Sequence, residues 1–460
     1  MIAIPPMELI EKYDRPGPRY TSYPTAPEWS DAFGPSRYAE HLEKADAEGG
    51  PVSIYVHLPF CREMCRFCGC NVVATHDKSR ADDYLDRLEQ EVALVAARLP
   101  RRRTVTQLHW GGGTPTFLDE RQLERCHAIL AERFAFAPEA EKAIEIDPAI
   151  TTKRQVSLLS KLGFNRISMG VQDFDPRVQE TVGRIQGEKE TAELVAHARD
   201  QGFGGVNLDL IYGLPHQTLD TWKATLDRIL AIHPDRLAVF GYAHVPWAKP
   251  HQRLLPAAAL PEAALRVKLF LTAAETFGNA GYRQIGLDHF ALGSDELARA
   301  QEAGYLTRNF QGYTVRPADD TVAFGMTSIS DIGGAYAQNV HRLKDWGEAV
   351  AAGRLPTERG AAVSSDDVMR RFAINRVMCL FRLDLDEIQQ KFGDLARRAL
   401  ESSMQGKVDE LVQDGLVVFD GRLLQVTPVG RLLVRNVAMM LDAYLPRHEK
   451  DKSPTFSRTV

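Results

Sequence analysis

From Val52 onward the chain changes its hydrophobic period repeatedly. Short runs that alternate or are apolar throughout give way to longer runs with apolar residues every three to four positions. Val52 to His57, Thr104 to Trp110, Ala143 to Ile146, Arg166 to Met169, Gly205 to Ile211 and Arg236 to Gly241 read as strands. Ala81 to Leu99 reads as a helix with Leu85, Leu88, Val92, Val95 and Leu99 on one face, and so do the runs from Asp119, from Thr152 to Leu162, from Glu188 to Gln201 and from Thr218 to Ile232. Six such repeats leave few folds, because parallel neighbours need a long right-handed crossover and a helix supplies it. The expectation is an α/β chain forming an incomplete (β/α)6, TIM-like barrel, with any site at the carboxyl ends of its strands.

The first of those ends carries the chemistry. In YVHLPFCREMCRFCGCN, Tyr55 to Asn71, the residues Cys61, Cys65 and Cys68 fall in a C-x3-C-x2-C spacing on one short loop. Thiolates so close together share a metal or a bridge. A structural zinc site takes four protein ligands, and no second Cys or His pair follows; Cys126 and Cys379 stand alone in helical runs. An iron–sulfur cluster ordinarily takes four cysteines, so three imply a four-iron cluster with one iron open to a non-protein ligand. Structural zinc and a disulfide are the alternatives. Cys70 is the competing fourth ligand, although it would ligate from a very tight C-x-C turn.

The other strand ends carry polar or glycine residues as well. Gly111, Gly112, Gly113 and Thr114 follow the second strand, where missing side chains let a ligand approach the backbone, or simply make a tight turn. Glu145 ends the third, Gln172 and Asp173 follow the fourth, Asp209 ends the fifth, and Tyr242, Ala243 and His244 follow the sixth. The 460 residues carry a net charge of -5, which offers no footprint for nucleic acid. Six cysteines in such a chain are not a disulfide scaffold. No basic leader precedes an apolar stretch and nowhere do eighteen apolar residues run together, so a cytoplasmic protein without membrane contact is expected.

The cysteine spacing with Phe67 just before the third Cys resembles the radical S-adenosylmethionine (SAM) enzymes. CRFCGCN with its extra Cys70, RYTSYPTA (Arg19 to Ala26), HWGGGTPT (His109 to Thr116), NLDLIYGLP (Asn207 to Pro215) and NFQGY (Asn309 to Tyr313) resemble one family among them, the oxygen-independent coproporphyrinogen III oxidases. The resemblance runs from about Tyr13 to about Tyr444. It implies one 4Fe-4S cluster on Cys61, Cys65 and Cys68 and two SAM molecules beside it. By position, Tyr55, Gly111 or Gly112, Glu145 and Ile329 match groups around the cluster-bound SAM. Phe67, Gly113, Thr114, Gln172, Arg184, Asp209 and Ala243 match those around the second, and Tyr55, His57 and Cys70 are the catalytic candidates. The implied reaction turns two propionates of coproporphyrinogen III into vinyl groups, giving protoporphyrinogen IX. Its implied partners are that porphyrinogen and a one-electron donor such as flavodoxin or ferredoxin, with the protein a monomer. Arg15, Arg19 and Arg308 are candidates for propionate contacts by position only. Arg66, where an aromatic is common, and Val72, where a Lys is common, depart from the family pattern.

The rest of the chain frames this barrel. Residues 1–50 read as an N-terminal arm lying over the site, 51–360 as the catalytic barrel, 361–447 as a smaller, mostly helical domain and 448–460 as a loose tail. GMTSIS, Gly325 to Ser330, and NFQGYT read as polar loops closing the barrel mouth. Helices, a hairpin turning at Asp420-Gly421, and a last helix from Val429 to Tyr444 resemble a winged helix, read as a lid or packing module because its charges are mixed. Two other functions compete: a haem-binding chaperone on the same scaffold, which generally lacks the RYTSYPTA arm and the Cys70 motif, and a DNA-binding regulator, which the charge disfavours.

Overall fold

The six expected strands lie side by side, in sequence order, as the parallel part of one sheet. They are β1 (Val52–Leu58), β2 (Thr104–Gly112), β3 (Ala135–Ile146), β4 (Arg166–Gln172), β5 (Gly205–Tyr212) and β6 (Arg236–Gly241). Between them run the helices α1 (Ser79–Ala96), α2 (Glu120–Ala131), α3 (Lys153–Lys161), α4 (Pro176–Val182), α5 (Glu188–Asp200) and α6 (Leu219–Ile232). Three of these start where the sequence says they should because each begins with a reciprocal capping box, Asp119 with Gln122, Thr152 with Gln155 and Thr218 with Thr221.

The computed structural model describes residues 5–315, 318, 320–448 and 456–459, and the chain divides into two compact units. The β/α unit comprises residues 29–261 and 316–362; the other comprises residues 1–28, 262–315 and 363–460. Strand alternation sorts the β/α unit into a dry face and a polar one. On β1, Val52, Ile54, Val56 and Leu58 are at most 1% exposed, each contributing about 1.5–3 kcal/mol of burial. Tyr55 and His57 therefore point to the opposite face. The same parity puts His109, Glu145, Ser168, Asn207 and Asp209 opposite the buried Leu108, Ile144, Ile167, Leu208 and Leu210.

The sheet is wider than six strands. β7 (Asp320–Phe324) pairs parallel to β1 on the side away from β2, and β8 (Ile329–Ile332), β9 (Ala335–Asn339) and β10 (Thr357–Ala362) continue antiparallel from it. GMTSIS is thus the turn from β7 into β8, and because β7 runs parallel to β1 it lies at the carboxyl end of β1. These strands are short, and two of them hold mostly small or polar residues, so no sustained period-two signal marks them.

In the other unit, helices Ser365–Leu380, Leu385–Phe392, Asp394–Met404 and Lys407–Gln413 pack with a three-stranded sheet of Arg382–Asp384, Leu423–Val426 and Val417–Phe419. The hairpin turns at Asp420-Gly421 as expected: Gly421 has φ 91°, and the Asp420 carboxylate accepts from the amides of Arg422 and Leu423 at 2.8 and 2.7 Å. The expected final helix is broken. A 3-10 turn, Gly430–Leu433, leads into a short helix, Val434–Met439, and Asp442 ends the run by accepting from the Tyr444 amide at 2.8 Å. Gly430 presses so closely on the Leu416 carbonyl that a Cβ would lie 2.0 Å from its oxygen. Of the expected tail, residues 449–455 and 460 lie outside the described residues, while Ser457 and Thr459 hydrogen-bond to Gly17 and Arg15 at 3.0 and 2.9 Å. Among the described residues no helix is long and apolar enough to cross a membrane.

Candidate active site

The loop after β1 brings Cys61, Cys65 and Cys68 together as free thiols, each half-buried, with Cys70 exposed beside them. Two segments distant in sequence fix this loop. Gly113 and Thr114 donate their amides to the carbonyls of Leu58 and Phe60 at 2.9 and 2.8 Å. The Thr114 hydroxyl then lies 3.5 Å from the Cys61 sulfur. Arg184, just past α4, aims one guanidinium nitrogen at the Cys65 sulfur, 3.7 Å away, and donates with another to the Gly170 carbonyl at 2.7 Å and to Asp147 at 3.1 Å. A cation and a hydroxyl beside sulfur favour the thiolate, but burial outweighs them, raising the Cys61 thiol to about 11 and the Cys65 thiol above its ordinary value. A hydrogen bond from Cys70 holds the Cys68 thiol below its ordinary value, and the same contact raises Cys70. Among the described residues no three Cys, His, Asp or Glu side chains converge as ligands of a single metal ion.

Tyr55 and His57 share a face of β1 and a hydrogen bond. His57 Nε2 donates to the Asn71 carbonyl at 3.0 Å, so Nδ1 is the acceptor and takes the Tyr55 hydroxyl at 3.1 Å. Burial lowers the His57 pKa and raises that of Tyr55, keeping both neutral. Tyr55 also stacks on His109, 5.8 Å between ring centroids. His109 donates to Glu145 at 2.9 Å, and the Gly112 amide donates to the same carboxylate at 3.3 Å. Burial pushes Glu145 upward, yet these donors prevail and hold it below the usual carboxylate range.

The glycines serve the protein's own side chains first. A Cβ on Gly111 would lie 2.8 Å from the Glu145 carboxylate, one on Gly112 2.6 Å from the His57 ring, and one on Gly113 2.7 Å from the Pro59 and Phe60 carbonyls. Gly112 is also held at φ 113°, a conformation closed to most residues. The triple glycine is therefore what lets Glu145, His57 and the cysteine loop approach β2.

Further along the sheet, Gln172 sits at the end of β4 with φ 69°, and its buried carbonyl oxygen has no donor among the described residues. The Arg184 Nε is likewise buried without a partner. Such groups are costly unless a ligand or ordered water satisfies them. Asp209 accepts from Ser168 at 3.1 Å and from Asn207 at 2.7 Å. Asp173 serves the fold: its carboxylate accepts from Thr225 and Gln217 at 2.6 Å each. Phe67 packs against Val178, Val182, Leu214, Tyr242 and Leu255, while Ala243 lies exposed just beyond β6. Ile329 is the first residue of β8, two strands from β1.

The sequence did not reveal the clasp that carries Phe67 and Ala243. Gln252, 1% exposed, donates to both their carbonyls at 3.0 and 3.2 Å and accepts from the Val245 amide at 2.6 Å. His251 lies 2.8 Å from the Cys68 carbonyl, and Lys249 donates to the Cys70 carbonyl at 3.1 Å. The one available signal was a run from Tyr242 to Pro261 without a carboxylate. Arg66, an oddity in the sequence, donates to the Thr181 carbonyl at 2.8 Å, tying the loop to α4. In the other unit, Arg19 pairs with Asp288 at 3.6 Å, while the Arg308 guanidinium lies over the Tyr313 ring and donates to the Arg19 carbonyl. Arg15 is exposed. Arg19 and Arg308 have these internal partners, while the Arg308 Nε, like that of Arg184, is buried without one.

A family model described as the radical SAM superfamily matches residues 55–229, and one described as the HemN C-terminal domain matches residues 363–433. The chain is 43% identical over 454 residues to the oxygen-independent coproporphyrinogen III oxidase of Escherichia coli, covering 99% of this chain and 98% of that protein. It is 42% identical over 461 residues to that of a Synechocystis species, covering 98% and 97%. A solved structure of the Escherichia coli coproporphyrinogen III oxidase, described as a radical SAM enzyme, superposes with a TM-score of 0.91 at 42% identity, covering 96% of this chain and all of that one.

Proposed function

The chain belongs to the oxygen-independent coproporphyrinogen III oxidases of the radical SAM superfamily, and from this membership we propose how its own residues serve that oxidation. Cys61, Cys65 and Cys68 hold a 4Fe-4S cluster, a role their donor chemistry fits: three unoxidised thiols on one loop, one beside a hydroxyl and one beside a guanidinium. Bound there with SAM, such a cluster would supply the electron that splits SAM into methionine and the 5′-deoxyadenosyl radical, which starts hydrogen removal from a substrate propionate.

Around it, Tyr55, Gly111, Gly112, Glu145 and Ile329 bind the SAM on the cluster. Glu145 is suited to an ammonium or to ribose hydroxyls because His109 keeps it anionic. Phe67, Gly113, Thr114, Gln172, Arg184, Asp209 and Ala243 bind a second SAM. The unpartnered oxygen of Gln172 and the adjacent Arg184 suit an amine and a carboxylate. His57 orients Tyr55 toward the reacting propionate, and Cys70, whose thiol is raised by its contact with Cys68, is a proton donor on the same loop. Each of the two propionates, after losing a hydrogen atom, then loses carbon dioxide and passes one electron to a one-electron acceptor, giving protoporphyrinogen IX. The protein works as a cytoplasmic monomer reduced by a flavodoxin- or ferredoxin-type donor.

One observation carries this reading: the three-thiol loop, Thr114 and Arg184 converge at the carboxyl end of a parallel sheet whose inward residues are Tyr55, His57, Glu145 and Asp209. Anaerobic turnover of coproporphyrinogen III with SAM and dithionite tests it. Protoporphyrinogen IX should form with two methionines per product once a one-electron acceptor is supplied, and reconstituted protein that cleaves SAM without consuming the porphyrinogen would refute the substrate.

A further inference from the structure

Glu91 on α1 is 1% exposed and no cation among the described residues pairs with it. Its carboxylate is filled by neutral donors from one place, the turn between β7 and β8 and its surroundings. One oxygen accepts from the Gly325 amide at 2.8 Å and from the Trp346 indole at 3.1 Å, the other from Asn339 Nδ2 at 2.6 Å. Asn339 passes the constraint on, donating also to the Gly325 carbonyl at 2.9 Å and to the Ser328 hydroxyl at 3.1 Å. The turn so held contains two residues with positive φ, Gly325 at 95° and Thr327 at 61°, and leads directly into Ile329. A Cβ on Gly325 would lie 2.2 Å from the Tyr84 hydroxyl and 2.6 Å from the His57 carbonyl. Tyr84, also on α1, donates to that carbonyl at 2.6 Å and stacks on Trp346 at 4.5 Å. One helix thus grips the turn before Ile329 with a carboxylate and the backbone of His57 with a phenol.

Burying an unpaired carboxylate is costly, so fold stability alone does not call for one here. Its use is that both oxygens accept; an amide would turn an N–H2 group toward one of the donors. We propose that Glu91 is a positioning residue for SAM binding, holding the Gly325–Ser328 turn, and with it Ile329, in register with His57. This rests on the proposed assignment of Tyr55, Glu145 and Ile329 to the first SAM. Burial raises the Glu91 carboxyl to about 7. Protonation near neutral pH therefore removes an acceptor and loosens the turn. The titratable groups coupled to it are Tyr84 on its own helix and Tyr38 from Pro35–Glu48, and burial keeps both neutral throughout this range.

The test is equilibrium SAM binding to anaerobically reconstituted protein, wild type and Glu91→Gln, from about pH 8 to about pH 6, with iron content measured in parallel. Wild type should bind SAM about tenfold more weakly at the acid end, and Glu91→Gln should bind about tenfold more weakly throughout with a flat profile and full iron. Val92→Ala, a buried methyl deletion on the same helix, controls for lost stability and should lower Tm without touching SAM affinity. Wild-type affinity in Glu91→Gln, or equal weakening in Val92→Ala, overturns the proposal. Should Glu91→Gln fail to fold, a flat wild-type profile overturns it instead. Wild-type protein with full iron that binds no SAM at all refutes the underlying site and not the role of Glu91.

Discussion

Single atoms decide most of what happens on the cysteine loop. Cys61, Cys65 and Cys68 are held by different neighbours, yet a cluster needs all three, so Cys65→Ser should abolish iron binding and the visible absorbance after reconstitution. Cys70→Ser should keep its iron and lose most turnover, because Cys70 is a thiol donor beside the loop. Cluster loss in that variant would make it a fourth ligand and close the open iron. Gly112→Ala is expected to be far worse than its size suggests. It forces φ 113° on an L-residue and drives a methyl into the His57 ring, with strain alone of about 1–3 kcal/mol. Gly34→Ala adds its methyl to open space and serves as the control. Equal Tm values for the two variants would contradict the packing described around His57.

Elements position these atoms from a distance. The strands supply parity, so that one face of the sheet is dry and the other carries Tyr55, His57, His109, Glu145 and Asp209; the segments after the strands supply the cysteines and their clasps. Gln252, buried in the 3-10 turn Pro250–Leu254, is the clasp that one substitution tests. Gln252→Ala leaves the Phe67 and Ala243 carbonyls and the Val245 amide without partners, at about 1–3 kcal/mol for each that stays dry. The variant should reconstitute but release iron to a chelator several times faster than wild type. An unchanged release rate would mean that the cysteine loop is held without this segment. Arg184→Ala acts at the other clasp. It should lower SAM stoichiometry from two per chain toward one while reductive cleavage of the remaining SAM persists, since Arg184 lies beside Gln172 and Cys65, whereas Glu145 lies beside His109. A wild-type stoichiometry of one with full decarboxylation would remove the second SAM from the mechanism.

At the scale of the entire chain, light scattering should give a mass near 51.3 kDa, and a doubled mass at micromolar concentration would contradict the proposed monomer. Much of the architecture could be read directly, because hydrophobic period is a local property that survives folding. β6 spans the residues its pattern predicted, and the capping boxes put three helix starts where their side chains demanded. The cysteine spacing and the glycines were legible for the same reason: they lie within a few residues of one another. β3 begins at Ala135, well before its apolar core, since Ala135 to Glu139 contains Pro138 and follows no period; it is a strand only because it has β2 to pair with, across a register shift near Val105. The final helix failed for the converse reason, its pattern being helical while Gly430 presses on the Leu416 carbonyl and Asp442 accepts from the Tyr20 hydroxyl at 3.0 Å. Local order thus fixed the cores of the six parallel strands, most of the helices between them and the three-thiol loop. That Gln252 clasps Phe67, that Arg184 reaches Cys65 and that Glu91 grips Gly325 depended on contacts between residues 119 to 234 positions apart, and no short-range pattern encodes a distance of that kind.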